Sequence, residues 1–93
     1  MVVRVWRGSA AEMQKQWDEI RTSLPQPVKL DRRIADATLE ASQTGIVGIG
    51  FLDRRASVVV LITCGTDLCK SVDEVLALAR LAHGRVDRIL VTD

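Results

Sequence analysis

Residues Arg55 to Gly84 read RRASVVVLITCGTDLCKSVDEVLALARLAHG, and the rest of the chain is interpreted around them. Val58-Val59-Val60-Leu61-Ile62 contains four β-branched residues in five, which suits a pleated strand and disfavours a helix. Apolar residues fall on both of its faces, the pattern of a strand covered on both sides, so Val60 and Ile62 are expected to be fully buried. Gly65, Thr66 and Asp67 break the run. Ser71-Val72-Asp73-Glu74 then has the S-x-x-E form of a capping box, with Asp73 and Glu74 at the positive end of the helix dipole. Val72, Val75, Leu76, Ala79 and Ala82 follow at helical spacing, widened by Leu78 and Leu81. His83 and Gly84 read as the stop, a cation over the last carbonyls followed by a left-handed glycine.

Before this unit, Val2-Val3-Arg4-Val5-Trp6 alternates as a strand, with Val3 and Val5 on one face and Val2, Arg4 and Trp6 on the other. Ser9-Ala10-Ala11-Glu12 is a second capping box. It opens a helix carrying Ala10, Met13, Trp17, Ile20 and Leu24, which ends before the stiff connector Pro25-Gln26-Pro27. Asp31 can cap a further helix to about Ser42, with Leu30, Ile34, Ala37 and Ala41 as a narrow stripe. Gln43-Thr44-Gly45 ends it. Ile46 to Leu52 is the next strand, and Gly48 and Gly50 on one of its faces leave room for a close neighbour. Asp53-Arg54-Arg55 turns it into an antiparallel hairpin with the organising strand. Val86 to Val91 reads as a last short strand.

Removing the Asp31–Ser42 helix from this order leaves βαββαβ. The expected fold is therefore one α+β domain over residues 1–93, a ferredoxin-like four-stranded antiparallel sheet with an extra helix in its first crossover. Both main helices would then lie on one face of the sheet. The other face, with Trp6, Val59 and Leu61, is too apolar to stay wet, so those three residues are the expected homodimer interface.

The 93 residues carry thirteen basic and twelve acidic side chains, which provides no long-range attraction for nucleic acid. Two Trp, one Phe and no Tyr make no platform for stacking bases. The apolar runs are too short for a membrane span, and Met1 leads into a strand rather than a signal sequence. Two cysteines do not make a disulfide framework, so both are expected reduced and the protein cytoplasmic.

No catalytic or metal-ligating constellation emerges from the sequence, and no cofactor is expected. Cys64 and Cys69 have C-x4-C spacing, unlike the C-x-x-C of thioredoxin-like sites. Cys69, close before a helix N-terminus, is the better candidate for a reactive thiol; otherwise it is a plain loop residue. Gly65, Thr66, Asp67, Cys69 and Lys70 form the best place for a small polar ligand, although Asp67, Asp73 and Glu74 would repel an anion. His83 is the only histidine, and a helix about 18 Å long separates it from Cys69. If the doublets Arg32-Arg33 and Arg54-Arg55 converged, they could hold an acidic partner.

The opening Val3-Arg4-Val5-Trp6-Arg7-Gly8 resembles the first strand of antibiotic-biosynthesis-monooxygenase-type proteins. That resemblance, six residues long, implies a ferredoxin-like dimer. The function expected is a noncatalytic binding or regulatory module that is homodimeric and takes a small ligand or protein partner. The alternative is a small dimeric enzyme, either cofactor-independent and monooxygenase-like or thiol-based.

Overall fold

The computed structural model describes residues 1–24, 28–43 and 45–92. Its elements are β1 (Val2–Arg7), α1 (Ala10–Ser23), β2 (Lys29–Asp31), β3 (Ala37–Gln43), β4 (Ile46–Asp53), β5 (Val58–Gly65) and α2 (Val72–Thr92). The five strands form one antiparallel sheet in the order β1-β5-β4-β3-β2. The protein is thus α+β with two helices and a five-stranded sheet, where four strands were expected.

The start of α1 follows directly from its sequence. Glu12 N donates to Ser9 Oγ and Ser9 N donates to Glu12 Oε1, both at 3.2 Å, which closes the expected capping box. The bond from the Ser9 amide holds the Glu12 carboxyl below its ordinary range. Met13, Trp17 and Ile20 lie on one helical stripe and are buried.

α1 and α2 cover opposite faces of the sheet. Met13, Trp17 and Ile20 pack with Leu39, Leu52, Val59 and Leu61 on one side. On the other side Val75, Leu76 and Ala79 of α2 pack with Val47, Ile49, Phe51, Val58, Val60, Ile62 and Cys64. β5 therefore sends alternate residues into two separate cores, which is why its apolar run has no period. Val60 and Ile62 are buried as expected.

This arrangement corrects the expectation of one bare face. Trp6, Val59 and Leu61 do share a face, but α1 lies over it, and Val59 is fully buried. They pack inside the protomer, so the argument that made them a dimer interface no longer applies.

Two further elements differ from the reading of the sequence. Asp31 to Ser42 is not a helix: β2 and β3 pair antiparallel around a turn at residues 32–36. Thr38 Oγ1 pins that turn by donating to Ile34 O at 2.7 Å and accepting from Ile34 N at 2.8 Å. Leu39 then fills the space above Gly50, where an added Cβ would lie 3.2 Å from Leu39 Cγ. Leu39 is thus the close neighbour that Gly50 admits, while Gly48 faces Thr63 of β5.

The last expected strand, Val86–Val91, is instead part of α2. Gly84 is not a left-handed stop, and the helix runs through it. A ferredoxin-like sheet has its first and third strands at the centre and its second and fourth outside, and β1, β5 and β4 are adjacent in that order. Without a strand from Val86–Val91, however, β1 becomes an edge of the sheet.

The connector expected at Pro25-Gln26-Pro27 lies outside the described residues. Gly45, at φ +89°, takes the left-handed position in the turn between β3 and β4.

Candidate functional site

Three regions carry chemistry beyond packing: the loop from β5 to α2, the corner where β4 meets α2, and the outer edge of β1.

The loop holds the expected ligand residues Gly65, Thr66, Asp67, Cys69 and Lys70, and its backbone is bonded within the chain. Thr66 N donates to Gly45 O at 3.1 Å, while Leu68 N and Cys69 N both donate to Gly65 O, at 3.1 and 2.8 Å. Lys70 N donates to Glu74 Oε2 at 3.0 Å, so the Glu74 side chain reaches back to the loop rather than closing the expected box with Ser71. Asp67 folds back over Gly65, where an added Cβ would meet Asp67 Oδ1 at 2.7 Å. An anion therefore finds these four amides engaged and a carboxylate beside them. Thr66, Asp67 and Lys70 are exposed, while Cys69 is turned into the core.

Cys64 and Cys69 are joined by a disulfide with their Cα atoms 5.9 Å apart. This corrects the expectation of two reduced thiols, and the cytoplasmic placement loses that premise because such bonds persist in oxidising compartments. Both residues are buried against the α2 core, so the bridge ties the end of β5 to the entrance of α2. The sequence offered no signal for it, since C-x4-C fixes no geometry until the turn at Gly65 folds back. Closing a loop of about six residues is worth about 2 kcal/mol in the chain-entropy account. The double substitution Cys64→Ala/Cys69→Ala is expected to lower urea stability by that amount while leaving the far-ultraviolet dichroism intact. Equal stability with and without reductant would show that the bridge contributes nothing.

Midway along α2, His83 is not a C-terminal cap. Its Nε2 lies 3.0 Å from Asp53 Oδ2, and its ring meets Phe51 edge-on, with centroids 5.3 Å apart. Asp53 Oδ1 accepts from Ala56 N at 3.0 Å. Burial pushes the Asp53 carboxyl up, but the bonds from Ala56 N, His83 and Arg55 N outweigh it and hold the group below its ordinary range. Its contribution to stability is therefore present at neutral pH and lost as pH falls through the lowered value. This pair is 30 residues apart in sequence and became visible only once α2 was seen to run alongside β4. Cys69 is bridged to Cys64 ahead of α2, and His83 lies about three turns into the helix against Asp53, so they form no dyad.

The arginine doublets do come to the same end of the sheet, but acids lie among them. Arg33 pairs with Asp31 and Glu40, each at 2.8 Å, and Arg54 N donates to Asp36 Oδ2 at 2.7 Å. Among the described residues, no group of three or more His, Cys, Asp or Glu side chains could hold a metal ion. No helix of the described residues is long and apolar enough to cross a membrane.

Among the described residues, no strand pairs with the outer edge of β1. Val2, Val3 and Val5 are each about half exposed, at 51, 49 and 48 %. Successive residues of a strand point their N–H and C=O groups to opposite sides. Gly45 O accepts from Thr66 on the β5 side of β4, and Leu52 O accepts from Asp36 on the β3 side. Odd residues of β4 therefore bond to β5. Carried through the registers, Val59 and Leu61 bond to Trp6 and Arg4 of β1. The N–H and C=O groups of Val3 and Val5 then point away from the sheet.

No family model, no curated protein and no solved structure matches the chain. The six-residue resemblance of β1 to monooxygenase-type proteins thus has no family match beside it.

Proposed function

We propose that the protein is a noncatalytic binding module that pairs an extended protein segment along β1. One observation carries this reading: β1 has the two-sided apolar sequence of an inner strand but stands at an edge. Val2 lies on one side and Val3 and Val5 on the other, and the outward N–H and C=O groups of Val3 and Val5 form a ready ladder. The opposite edge is different. β2 is three residues long and places Leu30 between Lys29 and Asp31, a short edge guarded by charge.

Backbone amide exchange tests this reading. Occupation of the edge, by the protein at high concentration or by an added alternating valine–glutamate peptide, is expected to protect the Val3 and Val5 amides. Arg4, already bonded to β5, serves as the internal reference. Free-rate exchange at Val3 and Val5 in both experiments would refute it.

The second reading, a small dimeric enzyme, has the Asp53–His83 pair in its favour. A thiol-based version needs the Cys64–Cys69 bridge opened first, because the thiolate is the nucleophile.

A further inference from the structure

Resting on the reading of β1 as a binding edge, we infer that its occupant is a second copy of the chain. The two β1 strands pair antiparallel in a register centred on Val5. The sheet offers one long unguarded edge, so pairing like with like consumes both edges and closes a twofold dimer. A head-to-tail contact through β2 would leave edges open for further addition.

The sequence of β1 selects the register. Because the Val3 and Val5 backbones point outward, a twofold ladder centres on Val3, Arg4 or Val5. Centring on Arg4 sets two guanidinium groups directly opposite, about 4.5–5.5 Å apart at Cβ, which is destabilising. Centring on Val3 places Arg4 against the partner's Val2 and leaves Trp6 without a cross-strand neighbour. Centring on Val5 pairs Val5 with the partner's Val5 through two backbone bonds. It also sets Val3 against the partner's Arg7 and Arg4 against the partner's Trp6. Arg4 is exposed and Trp6 half-buried on the same face of the strand, so each guanidinium lies by an indole, and the contact occurs twice. In this register no like charges stand directly opposite. The result is a continuous ten-stranded sheet, twice the five strands of one protomer.

Sedimentation velocity of the full chain is expected to show a dimer at micromolar concentration. Val5→Lys places two ammonium groups face to face and is expected to raise the dissociation constant about a hundredfold or more. Its unfolding should stay cooperative, because residue 5 is already half exposed. Val5→Cys is expected to oxidise to an interchain disulfide, since a hydrogen-bonded antiparallel pair sets its Cα atoms about 5.5 Å apart. Val3→Cys is not, its partner cysteine lying about four residues, roughly 14 Å, along the strand.

Wild-type protein that is monomeric at high micromolar concentration would overturn the second copy. The binding reading would stand if the alternating peptide still protects Val3 and Val5. Faster crosslinking at position 3 than at position 5 would overturn the register. A dimer unaffected by Val5→Lys would overturn the inference and place the interface away from β1, leaving the reading of β1 to the peptide protection of Val3 and Val5.

Discussion

Phe51→Ala is expected to lower the stability of the protein by about 3–5 kcal/mol. Phe51 sits on β4, the middle strand of the sheet, and its side chain is fully buried beneath α2. It is paired with Thr38 on one side and Val60 on the other, and both are themselves buried. Ladders on both sides hold the strand in place, so the walls of the cavity cannot collapse onto the missing ring. This puts the loss toward the upper end of the range. The substitution also removes the ring against which His83 stands edge-on, loosening the support of the Asp53–His83 contact. Total stability for a chain of this length is on the order of 5–14 kcal/mol, so the variant is left marginal. Urea unfolding measures the loss. A change below about 1 kcal/mol would mean that β4 is not the centre of the fold. Phe51→Leu, which keeps most of the volume, should recover most of the stability.

The elements that could be read from sequence are those whose signals are local. Ser9 and Glu12 close a capping box three residues apart, and the Met13–Trp17–Ile20 spacing places the buried stripe of α1 without outside help. The β4–β5 hairpin follows from two apolar runs and a polar turn. The segment from Asp31 to Ser42 was misread because Leu30, Ile34, Ala37 and Ala41 have helical spacing in residues that favour helix. Its strand conformation is decided by pairing with β4, where Gly50 leaves room for Leu39. Local propensity gives way there to a partner that the segment's own residues do not reveal. Val86 to Val91 was misread for the opposite reason. Valine and isoleucine favoured a strand and Gly84 resembled a stop, yet the segment continues a helix already anchored at Asp53 by His83.

The same misreading concealed the candidate site. A strand at Val86–Val91 would have flanked β1 and consumed its outer ladder. With that segment in α2, Val3 and Val5 face solvent. The apolar character of β1 was visible in the sequence, but its position at the edge depended on the far end of the chain. The covered face followed similarly: with one helix on each side of the sheet, the Trp6, Val59 and Leu61 surface became a core.

Leu61→Glu distinguishes these two architectures, and its expected result is loss of the folded state. Leu61 is 9 % exposed and packs with Met13, Trp17 and Ile20 of α1. A carboxylate there would sit between sheet and helix. The buried cluster is made of apolar side chains, and the nearest cation along the sheet is Arg4, exposed on β1 directly across from Leu61. Burying a carboxylate beneath α1 carries a desolvation cost that an exposed arginine at the rim offsets only in part, and the lost leucine packing adds about 2 kcal/mol or more. Together these approach the whole stability of a domain this size. Circular dichroism is expected to show no cooperative thermal transition at neutral pH, with partial recovery in acid as the glutamate becomes neutral. Had the face been bare and used for dimerisation, the same variant would be a folded monomer. Cooperative melting with halved mass would therefore remove α1 from that face. Leu61→Met keeps the volume and the apolar character, so it should cost less than about 1.5 kcal/mol and leave the assembly state unchanged.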